Sequence, residues 1–164
     1  SLRGYLSLGS RVVLAGRIMS EWLFGKIPFY EMVHWGGAMP VAGFGGDLTL
    51  RGISFGRWRA PGKAILNAEL RVDVGSHSFF GRSMRWLVVP YADAGMVYGG
   101  EDTPGPTGGP PIRPAAGIGG RLVFDEAFVG RLDAGFGLDP FVGKDGETRR
   151  ELTLGLYVVF EHTF

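Results

Sequence analysis

The sequence predicts an all-β fold, an antiparallel β-barrel of the kind that crosses a membrane. Polar and apolar residues alternate along seven segments, several of them longer than the five or six residues of an ordinary strand. The 29 glycines have no three-residue period, which excludes collagen. The connections between the segments alternate between short and long, and this combination is typical of membrane barrels.

The N-terminal part of the chain predicts two strands followed by a long loop. Alternation is weak over Leu2 to Leu8 and over Val12 to Phe24, yet the apolar residues keep mainly to one side. The connection from Gly25 to Gly62 is rich in glycine and proline, which predicts a long external loop. A hidden eighth strand at Phe44 to Ser54 would give the even strand number of bacterial barrels.

Four further strands follow, with most charged residues at odd positions and most apolar residues at even positions. In Lys63 to Val74 only Ile65 departs from this rule, and a short turn is expected from Gly75 to Arg82. The other three predicted strands are Arg82 to Tyr98, Arg113 to Phe124 and Arg131 to Asp139.

The last segment, from Arg149 to Phe164, has the clearest alternation. Its even positions from Leu152 onward are apolar except for His162, whereas its odd positions begin with Arg149, Glu151 and Thr153. A tilted strand of about 9–11 residues is enough to cross a bilayer, so this segment is long enough.

The direction of the apolar face separates two classes of barrel. In a soluble barrel the apolar face forms the core and the charged face meets water. In a membrane barrel the aliphatic face meets lipid, and charged residues and glycines line the interior. Long strands, aromatic residues near strand ends and long external loops favour the membrane class. A soluble binding barrel remains the alternative.

Composition and motifs exclude several other classes. A formal net charge of +1 gives no drive towards nucleic acid, and without cysteine there is no disulfide and no thiolate metal site. No apolar window of 18 residues predicts a transmembrane helix, and we expect any targeting segment to lie upstream or to have been removed. His34, His77 (expected in a turn) and His162 are isolated, and no motif predicts an enzyme, a metal site or a cofactor.

Several short motifs occur in a fixed order along the chain. The long loop contains Gly36-Gly37, and the later motifs are Leu50-Arg51-Gly52-Ile53, Ala68-Glu69-Leu70-Arg71, Tyr91-Ala92-Asp93-Ala94-Gly95, Gly117-Ile118-Gly119-Gly120-Arg121 and the terminal Phe164. This order resembles the C-terminal half of the barrel in BamA/TamA-type assembly factors, the bacterial surface antigen superfamily. Ile53 and Tyr91 depart from the family pattern, which has Tyr or Phe at the first position and Phe at the second.

The resemblance implies that residues 1–164 are the C-terminal part of a larger, sixteen-stranded barrel, with the loop at about 25–62 inserted into its lumen. It implies a place in the outer membrane of a Gram-negative cell and a role in insertion or translocation of other outer-membrane proteins. The implied partners are outer-membrane lipid, client proteins, accessory envelope proteins and a missing N-terminal half of the barrel. A passive pore or structural subunit of an envelope complex is the alternative.

The resemblance also implies that Arg51 at the loop tip is a structural lock, paired in the lumen with Glu69 and Asp93. Alternation agrees independently, because Glu69 and Asp93 fall on the inward face of consecutive strands, where one guanidinium can bridge both. The alternative is a solvated Arg51, with the two carboxylates paired to Arg85 and Arg121.

Two further groups of residues complete the expected sites. Besides Gly52, next to the lock arginine, lumen-facing support is expected from Arg85, Gly117, Gly119 and Arg121. In the terminal strand, the resemblance implies an assembly signal and a lateral gate at Gly155, Val158, Phe160 and Phe164.

Overall fold

In the computed structural model, seven antiparallel strands form one open sheet in sequence order. The strands are Leu2–Ser7 (β1), Val12–Trp22 (β2), Gly62–Phe79 (β3), Arg82–Tyr98 (β4), Arg113–Phe124 (β5), Phe128–Val142 (β6) and Thr148–His162 (β7). The structure describes residues 1–28, 30–32, 34–35, 44–56, 60–99, 112–125, 128–142 and 148–162, without the side chains of 139–142, 148–151 and 161–162. No helix in these ranges is long and apolar enough to span a membrane.

The β3–β4 hairpin is longer than the sequence predicts. A β-bulge between Asp73 and Gly75 shifts the pairing with β4, and Gly75 has a φ of 142°, which favours glycine. Because the bulge interrupts the alternation, the sequence predicts that the strand ends at Val74, whereas β3 continues to Phe79. The turn itself consists of Phe80 and Gly81, both with positive φ, as in a type I′ hairpin.

The placement of His77 in a turn is therefore wrong. His77 lies in β3 beyond the bulge, opposite Met84 of β4. Its Nδ1 accepts a hydrogen bond of 3.2 Å from Nε1 of Trp86, and the two rings stack with their centroids 6.1 Å apart. The histidine is thus a partner of an exposed aromatic residue on the sheet surface.

The two faces of the sheet differ in polarity. Even positions carry apolar side chains that are exposed, with Leu154 and Leu156 of β7 exposed by 70% and 69%. Odd positions face the other side, where Asp93 and Asp133 are buried. The pattern continues across the sheet, with exposed even-numbered residues that include Leu14, Ile18, Leu66, Val88, Ile118, Leu132 and Phe136.

The sheet curls around residues 44–56, which lie against its polar face. Arg17 of β2 bonds to the carbonyl of Leu48, and Arg131 of β6 donates to the carbonyl of Asp47 at 2.8 Å. Strands that are four places apart in the sheet therefore reach adjacent residues of one segment, so the face that they share is concave.

The expectation of an eighth strand at Phe44 to Ser54 is wrong. This segment consists of turns and bends, and Gly45, Gly46 and Gly52 in it have φ values of 103°, 90° and 98°. These left-handed conformations are incompatible with an extended strand. The open seven-stranded sheet is consistent with part of a barrel.

The apolar core lies between the concave face and the loop formed by residues 44–56. Ile65, the exception to the alternation, is 2% exposed and packs there because the loop covers it. The buried members of this core are Trp35, Phe44, Leu50, Ile53, Ala60, Ile65, Val97 and Ala115.

Candidate functional site

Residues 44–56, which we call the inserted loop, bond to themselves in compact turns. Oγ1 of Thr49 donates to the carbonyl of Gly45 at 2.8 Å and accepts from the N–H of Gly45 at 2.9 Å. The N–H of Gly46 donates to the carbonyls of Leu50 and Ile53. Because much of its backbone is paired internally, the loop can lie inside the curved sheet without leaving these polar groups unsatisfied.

Arg51 occupies the tip of the inserted loop and is 3% exposed. Its Nε and Nη2 donate to the two carboxylate oxygens of Asp93, each at 2.9 Å, and its Nη1 donates to Glu69 at 2.6 Å. Asp133 lies 3.5 Å from the same Nη1. The backbone N–H of Arg51 donates to Asp93 at 3.2 Å, so this carboxylate holds both the side chain and the main chain of the tip.

Arg51 remains a cation in this buried position. Burial disfavours the charged guanidinium, but the hydrogen bond and ion pair with Asp93, together with Glu69, outweigh burial and raise the pKa of Arg51. The group therefore does not exchange protons at any pH at which proteins normally fold. Its role in this site is to bind carboxylates.

The ring of Tyr91 packs against the guanidinium of Arg51, and neighbouring glycines leave space for this ring. The guanidinium carbon lies 3.5 Å from the centre of the Tyr91 ring, which is cation–π geometry. Tyr91 is directly opposite Gly117, and Gly117 is opposite Gly135 on the next strand. A Cβ atom on Gly135 would lie 2.6 Å from the Tyr91 hydroxyl and 2.9 Å from the Arg51 carbonyl carbon.

Gly119 makes similar room for a second acidic group. A Cβ atom on Gly119 would collide with Asp133 and with Arg121. Asp133 is fully buried, pairs with Arg121 and accepts a hydrogen bond of 2.7 Å from Nε of Arg131. Gly117 and Gly119 thus provide the space in which the ring and the carboxylate lie next to Arg51.

The carboxylates of Asp93 and Glu69 have further partners that fix their orientation. Nδ2 of Asn67 donates to Asp93 at 2.7 Å and to the carbonyl of Thr49 at 2.6 Å. Nη2 of Arg71 donates to Glu69 at 2.9 Å. Side chains of the sheet therefore hold each acidic side chain in place, in addition to Arg51.

Gly52 ties the inserted loop to β7. Its N–H donates to the Tyr157 hydroxyl at 2.9 Å, and its carbonyl accepts a hydrogen bond from Thr153. With a φ of 98°, it lies so close to the sheet that a Cβ atom would be 2.7 Å from the backbone of Gly135 and Phe136. Only glycine fits at this position.

Lys63 forms a second anchor for the long connection before β3. The side chain is fully buried, and Nζ lies 3.1 Å from Glu21 and donates to the carbonyl of Met32 at 3.1 Å. It also donates to the carbonyl of His34 and lies 5.6 Å from the centre of the Trp35 ring. The connection is thus bound to the sheet at two separate points.

Most of the residues that the sequence predicts for the lock lie close together. Arg51, Gly52, Glu69 and Asp93 come together, with Gly117, Gly119 and Arg121 beside them. Arg121 pairs with Asp133 and lies 3.8 Å from Glu69, but it does not replace Arg51.

Arg85, which the sequence predicts as lumen-facing support, lies outside the cluster around Arg51. It is exposed near the β3–β4 turn, on the part of β4 before Val89 and Tyr91, which are buried. Alternation correctly predicts on which face of the sheet a residue lies. It does not predict how far along the strand that residue lies from the inserted loop.

The residues expected in the terminal strand lie on both faces of β7. Gly155 faces the concave side, where a Cβ atom would collide with Tyr157. Val158 and Phe160 are on the apolar face, exposed by 61% and 69%, and the Phe160 ring stacks on Phe128 at 5.8 Å. Phe164 and Gly36-Gly37 lie outside the described residues.

Sequence reasoning missed several members of the cluster. Asp133 occupies an odd position of β6, as Asp93 does on β4, so the inward parity of acidic residues could have identified it. Tyr157 and Asn67 gave no such signal, because their contacts depend on how the loop backbone lies against the sheet.

The cluster holds the guanidinium of Arg51 among the carboxylates of Glu69, Asp93 and Asp133. This arrangement stabilises the position of the inserted loop. In the described part of the chain, no group of three or more His, Cys, Asp or Glu is arranged to hold a metal ion. No family model, no curated protein and no solved structure matches the chain.

Replacing Arg51 by alanine leaves Asp93 and Glu69 buried without their shared cation. We expect the free energy of unfolding of the Arg51→Ala protein, measured by urea denaturation, to fall by about 3–5 kcal/mol. The control is Arg82→Ala, which breaks an ion pair with Asp125 in which Arg82 is 62% exposed; because water screens this pair, we expect a much smaller loss of stability than in Arg51→Ala. Wild-type stability of Arg51→Ala would contradict the lock.

A methyl group on Gly135 would press against the Tyr91 hydroxyl and the Arg51 backbone. We expect Gly135→Ala to lower the free energy of unfolding by about 1–3 kcal/mol and to expose the inserted loop to proteolysis. Gly120→Ala is the matched control, since no atom lies within 4 Å of its added Cβ, and it should change stability by less than about 0.5 kcal/mol. Equal changes in stability of both variants would show that the inserted loop is not closely packed against Gly135.

Proposed function

We propose that the chain is part of an outer-membrane β-barrel of the assembly and translocation superfamily, acting in the insertion or translocation of other outer-membrane proteins. The observation that carries this proposal is the polarity of the sheet. Aliphatic side chains are exposed on its convex face, whereas buried ion pairs and an inserted loop occupy its concave face.

The convex face is suited to hydrocarbon and not to water. Soluble monomers rarely expose continuous apolar patches larger than a few hundred Å². Here exposed leucine, isoleucine, valine and phenylalanine side chains run across β2 to β7. All six of these strands have 11 to 18 residues, and about 9–11 are enough to span a bilayer.

The convergence of the motifs supports the superfamily. The loop-tip arginine, the glutamate of β3, the aspartate of β4 and the glycine-rich motif of β5 are far apart in sequence. They meet around one guanidinium on the concave face. A lumen-inserted arginine loop is a structural feature of that superfamily, so the convergence favours it over barrels with a simple pore.

The two outer strands of the sheet support a larger barrel and a lateral gate. β1 and β7 each pair with a single strand in the described part of the chain. Unpaired backbone groups are costly in lipid, so further strands, up to the sixteen of the superfamily, would cover these edges. In the closed barrel β7 would pair imperfectly with the first strand, and a client strand would pair at this edge around Gly155 by the same hydrogen bonds that join two strands of a sheet.

The proposal includes a set of partners. These are outer-membrane lipid around the convex face, client outer-membrane proteins at the β7 edge, accessory envelope proteins and the remaining strands of the barrel. A passive pore or structural subunit is the second candidate, and the extensive bonding that fixes the inserted loop within the sheet favours the structural subunit.

Depletion of the protein in its own cells tests the assembly role. We expect the levels of other outer-membrane proteins to fall, and to recover on expression of the wild type but not of Arg51→Ala. Arg85→Ala is the matched control and should restore them, because Arg85 is exposed and outside the cluster. Unchanged levels after depletion would leave the passive barrel as the function, and recovery of the protein in the soluble fraction would overturn the membrane assignment.

A further inference from the structure

A basic cavity lies on the concave face beside the inserted loop. It has a volume of about 340 Å³ and reaches the outermost strand, β1. Five arginines line it: Arg3, Arg17, Arg51, Arg71 and Arg131. Glu69 and Asn67 of the Arg51 cluster also line the cavity, whereas Arg3 and Tyr5 of β1 lie outside that cluster.

Three of these arginines are neutralised by carboxylates of the cluster. Arg51 pairs with Asp93, Arg131 pairs with Asp133 at 2.7 Å, and Arg71 pairs with Glu69 at 2.9 Å. The carboxylates of Asp93, Asp133 and Glu69 therefore largely compensate the positive charges of these three arginines.

Arg17 and Arg3 differ, because neither pairs with a carboxylate among the described residues. Nε and Nη2 of Arg17 donate to the neutral amide oxygen of Asn67 at 3.0 and 2.8 Å, and Nη2 also donates to the carbonyl of Leu48. Arg3 is exposed and stands directly opposite Arg17 in the β1–β2 pair. Like charges in directly opposite positions repel, so two positive charges without a carboxylate partner among the described residues lie together at the cavity.

The double charge fits a phosphate monoester better than a carboxylate. A phosphate monoester carries about −1.5 to −2 charges and three oxygens, enough for two guanidinium groups, whereas a carboxylate offers one charge and one pair of oxygens. The cavity volume lies within the range of about 300–1,000 Å³ that is usual for small-molecule sites, so an organic group can accompany the phosphate. The ring of Tyr5, 5.6 Å from the guanidinium of Arg71, supplies an apolar wall.

We propose that this cavity binds a phosphate monoester, with Arg3 and Arg17 holding the phosphate and Arg71 beside them. Asp47 also lines the cavity and opposes the anion by its negative charge. The inference rests on the charges of the concave face and holds whether or not the protein assembles others.

Titration of the purified full chain with inorganic phosphate, in non-ionic detergent and chloride buffer near neutral pH, tests the site. We expect Arg3→Gln and Arg17→Gln to weaken binding by about tenfold or more, and Asp47→Asn to strengthen it. Arg85→Gln, an exposed arginine outside the cavity, is the control and should leave binding unchanged. Arg3→Gln is the decisive variant, because Arg3 makes no ion pair with any described residue and its loss spares the fold.

Absence of phosphate binding by the wild type would overturn the proposal. So would equal binding by Arg3→Gln and wild type, or equal losses in Arg3→Gln and Arg85→Gln. A second titration with mixed micelles containing phosphatidic acid distinguishes the source of the phosphate. Binding that is tighter than that of inorganic phosphate and sensitive to Arg3→Gln indicates a lipid headgroup; weaker binding indicates a soluble phosphate ester.

Discussion

The ion pairs of a single buried arginine determine how the inserted loop and the sheet fit together. Arg51 is covered by the loop that carries it, so its charge is stable only while Asp93 and Glu69 surround it. The two carboxylates come from adjacent strands, and a shift in the register of either strand by one residue would turn its acid to the opposite face. The pairs therefore constrain the sheet as much as the loop.

The glycines of the concave face follow from the same constraint. A loop backbone can approach a sheet this closely only where side chains are absent, and Gly135 lies directly under the main chain of Arg51. Tyr91 then uses the remaining space as a flat surface below the guanidinium. The high glycine content of the sequence thus has a local purpose, since these residues form the seat of the loop.

The sequence predicted the strands well where alternation is undisturbed, as in β4 and β5, whose bounds agree residue for residue. It failed where local geometry interrupts the pattern. The bulge before Gly75 concealed the end of β3, and the turns after Phe44 resembled a strand because apolar residues there pack against the sheet. These features depend on backbone angles and on contacts with distant strands, which periodicity does not contain.

Part of the candidate site was also predictable, because alternation predicts which residues share one face of a sheet. Parity placed Glu69 and Asp93 on one face, but it could not show that Arg85 lies too far along β4 or that Asn67 and Tyr157 bind the loop backbone. Pairing of residues on one face follows from the strand pattern. Contacts of an irregular loop follow only from its three-dimensional path.

We propose that the apolar convex face meets lipid, and two adjacent valines on opposite faces of β7 test this proposal. The chain has no cysteine, so Val158→Cys and Val159→Cys each introduce a single labelling site, on the convex and the concave face respectively. Each variant is labelled with a fluorophore and reconstituted in liposomes that contain brominated lipid. We expect strong quenching at position 158 and little at 159. Equal quenching at both positions, or none at 158, would contradict it.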